Sequence, residues 1–155
     1  MTYEQVVQAI YDEDIEIIEM NFRGGLKGLY SDNTIAIRSG IATTTEKKCI
    51  LMEELGHHYT TTGNITDLKS VCNRKQEGQA RKWSYELLVP LKLIIKASYS
   101  GCTNLYELAE YLDVTEEFLK GALEYYQSKC GLYAEVGNYC IYFNPLTVCK
   151  YKYEK

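Results

Sequence analysis

Met52-Glu53-Glu54-Leu55-Gly56-His57-His58-Tyr59 holds both histidines of the chain beside two adjacent acids. Thr43, Thr44 and Thr45 precede it as helix N-cap residues, followed by Glu46. Leu51, Leu55 and Tyr59 then recur at helical spacing, which predicts about four turns stopping near Gly63. On that helix Glu53 and His57 are four apart and share a face. Glu54 lies about 100° round, near enough to act on anything the pair holds. Two ligands at i and i+4 beside a general-base Glu are the pattern of the H-E-x-x-H zinc helix. Glu53 here occupies the first ligand position. The other register, Glu54 with His58, puts Leu55 where the base must stand, and chemistry rejects it.

A catalytic zinc takes three protein ligands and leaves a position open for water. The third ligand is expected on the following helix, which starts at about Asp67 and runs through Trp83, Leu87 and Leu88 to Val89-Pro90. A helix hairpin turning near Gly63 carries Glu77 back toward His57. Glu86, near the end of that helix, reads as a surface acid, and Trp83 and Tyr85 read as packing residues.

Thr2 with Gln5 is a capping-box pattern, and Val6, Val7 and Ile10 give the helix behind it an apolar face. Ile15 to Met20 reads as a strand. After a turn punctuated by Gly24, Gly25 and Gly28, Leu29-Tyr30, Ser31-Asp32-Asn33 and Thr34 to Ile37 read as strand, turn and strand. Thr34 to Ile37 is expected to be an edge strand, offering Ile35 and Ala36 to an extended substrate. Leu91 to Tyr99 forms a further helix, and Asn104 to Lys129 forms two helices joined at Asp113-Val114-Thr115. Leu132 to Tyr142 forms a hairpin turning at Gly137-Asn138. The expected class is α+β: a small N-terminal sheet with one central site helix, then a helical region, then a short C-terminal hairpin. Ser98 to Cys102 is the seam, giving residues 1–98 as the domain that holds the site. Residues 99–155 form a helical pair and hairpin packed on it.

The net charge is −4, which gives no electrostatic reason to expect nucleic acid. Six acids and no Lys or Arg fall within Met1 to Met20, whereas Lys69 to Lys96 holds seven bases against Glu77 and Glu86; both stretches read as solvated helix faces. The helices around Asp113 have helix-turn-helix packing residues in Ala109, Val114 and Leu119. The second, however, carries Glu116, Glu117 and Glu124 against Lys120. Phosphate binding needs the opposite sign, so this helical pair is expected to dock a protein. The six cysteines include no C-x-x-C pair, which argues against a structural zinc ribbon. The acidic N-terminus has no signal-peptide character, and no apolar run reaches membrane-spanning length. The cysteines therefore read as reduced thiols of a cytoplasmic protein, with Cys140 and Cys149 buried in strands. The 15 tyrosines suit core margins or a contact surface.

Two segments together, CILMEELGHHYTTTGNI (49–65) and RKQEGQARKWSYELLVPL (74–91), resemble the ImmA/IrrE family of metallo-endopeptidases. KGLYSDNTIAI (27–37) is similar to the hairpin before that family's zinc helix. LYELAEYLDVTEEFL (105–119) is similar to the helices after it. The likeness runs from Gly24 to about Phe118. It implies a zincin-like fold with Glu53, His57 and Glu77 as metal ligands, Glu54 as the catalytic base, and Ala80 and Pro90 completing the downstream pattern. The E-E-L-G-H form resembles a variant of the phage branch. Two carboxylates and one imidazole hold zinc less acidically than the usual set and favour harder ions such as Mn²⁺. The resemblance implies cleavage of a helix-turn-helix repressor of a phage or mobile element in the bacterial cytoplasm, with no direct contact to nucleic acid or membrane. His58 and Tyr59 are expected near the transition state. A catalytically weak relative that binds a repressor without cutting it, and a DNA-binding regulator, are the other two function classes.

Overall fold

The structure, a computed structural model, describes residues 1–60 and 71–151, with side chains in the third helix from Glu77 onward. The expected helix stop at Gly63 and helix start at Asp67 fall outside those residues. Among the described residues, six helices and six strands follow in the order α1 (Tyr3–Asp12), β1 (Glu16–Met20), β2 (Gly28–Ser31), β3 (Thr34–Arg38), α2 (Thr44–Thr60), α3 (Val71–Leu88), α4 (Leu91–Tyr99), α5 (Leu105–Leu112), α6 (Glu116–Cys130), β4 (Tyr133–Val136), β5 (Tyr139–Phe143) and β6 (Leu146–Lys150). The class is α+β, as the sequence pattern indicates. The chain forms two compact units, Met1–Ser84 and Tyr85–Lys155. The division falls inside α3, not at the seam expected after residue 98, because α4 packs with α5. Among the described residues, no helix is long and apolar enough to cross a membrane.

In the first unit, α1 starts at a complete capping box. The Thr2 hydroxyl accepts from the Gln5 amide, and the Gln5 side chain accepts from the Thr2 amide. Its buried face, Val6 and Ile10, joins Ile15, Ile35, Ile37, Leu51, Met52 and Leu55 in the core. The sheet order is β1-β3-β2. Asp32 and Asn33 turn β2 into β3 with positive φ of 46° and 57°, the conformation a two-residue hairpin requires. β3 then pairs in parallel with β1, Ile17 opposite Ile35. This places β3 in the middle of the sheet and corrects the expected edge strand. Ile35 and Ala36 are buried and have neighbours on both sides, so neither is placed to meet a substrate. The edges are β1 and β2.

The second unit builds on capped helices. Asn104 caps α5, Asp113 ends it in the left-handed region, and Thr115 caps α6. Ile94, Ala97, Leu108, Ala109, Leu119, Ala122 and Ile141 are its buried centre. The C-terminal sheet has three strands in the order β4-β5-β6, one more than the expected hairpin. The added strand, β6, returns over β5 after the Asn144-Pro145 turn. Leu146 and Val148 are half-buried and Thr147, Cys149 and Lys150 are exposed, as on an edge strand with one face to solvent. Cys149 is thus not buried as expected, whereas Cys140 on the central strand is.

Candidate active site

The α2 helix begins where the Thr43 hydroxyl accepts from the Glu46 amide, at 3.1 Å. One face buries Leu51, Met52 and Leu55 against the sheet. The next face presents Glu53, Glu54 and His57. Two close approaches position this face, and each needs a glycine. At Gly28 the β2 strand passes so near α2 that an added Cβ would stand 2.7 Å from Ile50 Cγ2 and 3.1 Å from Glu54 Oε1. At Gly56 an added Cβ would stand 2.6 Å from the carbonyl oxygen of Ala80 in α3 and 3.2 Å from the Trp83 ring. The backbones of α2 and α3 thus nearly touch one residue from His57 and three residues from Glu77.

The consequence is a direct contact: His57 Nε2 lies 3.0 Å from Glu77 Oε2. His57 is 6% exposed and its other ring nitrogen, Nδ1, is buried. Burial alone pulls the imidazole pKa down. The Glu77 hydrogen bond and the charges of Glu54, Glu77 and Glu53 outweigh it and raise the pKa above its ordinary value. Glu77 moves the opposite way, held below the carboxylate range by the His57 bond against partial burial. Arg81, one turn on, adds a weaker contact at 3.7 Å. Glu54 is pushed up to about 7, first by burial and then by the like charges of Glu53 and Glu77; His57 and the backbone amide of Tyr30 oppose the shift. The amide belongs to the edge strand β2, so that strand holds the carboxylate in place.

The family model of the IrrE N-terminal-like domain, peptidase M78, matches residues 12–124. The chain belongs to that family. No curated protein matches it, and no solved structure does. In this IrrE-like chain the matched span covers the whole site and ends within α6, leaving β4, β5 and β6 beyond it.

The family implies zinc, so the donors must be asked whether they suit it. Two donors on one tetrahedral zinc, each about 2.0–2.2 Å from the ion, stand about 3.3–3.6 Å apart. The His57–Glu77 separation of 3.0 Å is close to that spacing. Carboxylate and imidazole are both zinc ligands. Glu53 lies one turn before His57 and acts on His57 and Glu54 through its charge. Among the described residues, however, no group of three His, Cys, Asp or Glu side chains stands together as a metal cluster. The structure brings His57 and Glu77 together and sets Glu54 beside them, with Glu53 one turn before His57 on the same helix. The donor chemistry therefore fits a divalent ion at the His57–Glu77 pair.

His58 and Tyr59 belong to a second network. His58 Nδ1 meets the Tyr30 hydroxyl at 2.8 Å, and His58 Nε2 lies 3.4 Å from Glu13 Oε2. Tyr59 donates to Glu13 Oε1 at 2.7 Å and its ring packs at 5.1 Å from that of Trp83. Partial burial, with the Glu13 bond, raises the Tyr59 phenol to about 12, so it stays a donor at neutral pH. Glu13 and Tyr30 were not singled out by the sequence. Glu13 is one of six acids near the N-terminus, and its role depends on where α1 ends relative to α2. Tyr30 carried one signal, its place in the hairpin before the zinc helix.

Proposed function

We propose that this IrrE-like chain is a zinc-dependent endopeptidase that cuts a regulatory protein in the bacterial cytoplasm. The proposed substrate is a helix-turn-helix repressor of a phage or mobile element. The observation that carries the reading is the 3.0 Å contact between His57 and Glu77, delivered by two different helices, with Glu54 at its side. Glu53, His57 and Glu77 are the proposed ligands, and Mn²⁺ is an alternative ion. Bound there, the ion supplies Lewis acidity to a scissile carbonyl and to water.

The chain's own groups do the rest. Glu54, oriented by the Tyr30 amide, takes a proton from the attacking water and delivers it to the leaving amine. The edge strand β2, next to Glu54, is the segment against which an extended substrate would pair. His58 and Tyr59, anchored by Tyr30 and Glu13, line the end of α2 beyond His57. A second reading has a specific observation in its favour. Glu53 stands where the family has a histidine, and among the described residues no three His, Cys, Asp or Glu side chains form a metal cluster, which suits a relative that binds a repressor without cutting it.

Incubation of the purified, metal-loaded protein with a candidate repressor separates the two. Cleavage predicts one discrete fragment that Glu54→Gln abolishes while metal content stays the same. A stable complex without fragments, for wild type and variant alike, favours the non-catalytic relative.

A further inference from the structure

Cys140 and Cys149 are direct partners across the antiparallel β5–β6 ladder. Directly opposed residues of such a pair point to the same face of the sheet. The ladder also fixes their spacing. Phe143 donates its amide to Leu132 on the β4 side, and Tyr151 donates its amide to Asn138. Asn138, Cys140 and Tyr142 therefore aim their backbone groups at β6, and Cys140 with Cys149 is a hydrogen-bonded pair. The α-carbons of such a pair are about 5.5 Å apart. Disulfides span about 4.4–6.8 Å between α-carbons and about 3.5–4.5 Å between β-carbons, and the β-carbons of a hydrogen-bonded pair stand about 5–5.5 Å apart, so a bond closes here when the two strands draw together by about 1 Å.

The two thiols differ in access. Cys149 is exposed and Cys140 is 4% exposed. Tyr142 lies two residues along β5 on the same face of the strand as Cys140, and Tyr151, just past β6, is tied to Glu135 at 2.8 Å. Among the described cysteines, Cys49 lies on α2, Cys102 follows α4 and Cys130 ends α6.

We propose that Cys140 and Cys149 are an oxidation site that closes reversibly to a cross-strand disulfide when the protein meets a peroxide. The Cys149 thiolate attacks one peroxide oxygen, the O–O bond breaks, a water leaves, and the sulfur becomes a sulfenic acid. The Cys140 sulfur then attacks the Cys149 sulfur, the S–O bond breaks, and a second water leaves. Two thiols lose two electrons and two protons, and one peroxide becomes two waters. The site lies outside the family match and does not depend on the peptidase reading.

The test treats the full chain with stepwise hydrogen peroxide, blocks remaining thiols with iodoacetamide, and maps peptides by mass spectrometry without reduction. The expected result is the loss of two alkylatable thiols and a Cys140–Cys149 linked peptide within one chain, restored by dithiothreitol. The exposed Cys130 remains alkylatable at the peroxide dose that closes the pair. Cys140→Ser leaves the Cys149 sulfenic acid unresolved, and it accumulates as a dimedone adduct. Cys149→Ser, a change at the exposed edge, shows neither link nor adduct. Oxidation of Cys130 while Cys140 and Cys149 stay alkylatable overturns the proposal, as does linkage of Cys149 to any other cysteine or an unlabelled Cys149 in Cys140→Ser.

Discussion

Replacing Gly56 by alanine should separate α2 from α3. The new Cβ would stand 2.6 Å from the Ala80 carbonyl oxygen, about 0.8 Å short of an ordinary 3.4 Å contact. The obstructing atom is backbone and cannot rotate away, so the helices must part by most of that shortfall. Alanine improves helix propensity by about 1 kcal/mol. Overpacking of this kind costs about 1–3 kcal/mol. The net expectation is a loss of roughly 0–2 kcal/mol, or a melting temperature lower by up to roughly 8 °C for a chain of this size. The same retreat lengthens the 3.0 Å His57–Glu77 contact to about 3.8 Å, beyond hydrogen-bonding range. Gly78→Ala, on the neighbouring helix α3, is the control, because a Cβ there meets nothing within 4 Å. It should stabilise by up to about 1 kcal/mol through propensity alone. Thermal unfolding by circular dichroism, with calorimetric zinc titration of both variants, measures the two effects. If Gly56→Ala melted as high as Gly78→Ala and bound zinc as wild type does, the close helix crossing could not be what sets the site.

Gly28→Ala should push Glu54 off the Tyr30 amide, since the added Cβ would lie 3.1 Å from both Cγ and Oε1 of Glu54; peptide cleavage should fall sharply while zinc content, assayed on the same preparation, is retained. Tyr30→Phe removes the hydroxyl that meets His58 Nδ1 and should cost about 1 kcal/mol in urea unfolding, leaving the amide bond to Glu54 intact. Tyr126 donates to the Val89 carbonyl, and burial first, then the charge of Glu86, raises its phenol above the ordinary range. The folded state resists ionising it, so its contribution is full below pH 10, the unfolded value, and is lost as pH rises beyond that. Tyr126→Phe should therefore unfold at higher pH than wild type in an alkaline titration followed by circular dichroism.

Much of the architecture could be read from local chemistry. The capping box at Thr2, the positive-φ turn at Asp32 and Asn33, the Thr43 cap and the Asp113 helix stop are each decided within a few residues. Which strand lies at the edge was not local. β3 looks the same in sequence whether one neighbour flanks it or two, and the parallel partner β1 lies well upstream. β6 alternates over only five residues, Leu146 to Lys150, and its strand character depends on pairing with β5. At the site, i,i+4 spacing placed Glu53 and His57 on one face of α2. The meeting of Glu77 with His57 and the clamp of Glu13 on His58 and Tyr59 depend on tertiary packing. The need for glycine at 56 is invisible until α3 is laid across it.

The most direct test is titration of zinc into the metal-free protein, comparing wild type with Glu77→Gln. Wild type should bind one ion per chain, and the variant, which keeps its shape but loses a ligand, should bind more than ~100-fold more weakly. Equal zinc affinity in the two proteins, or none in wild type, would contradict a metal centre built on His57 and Glu77.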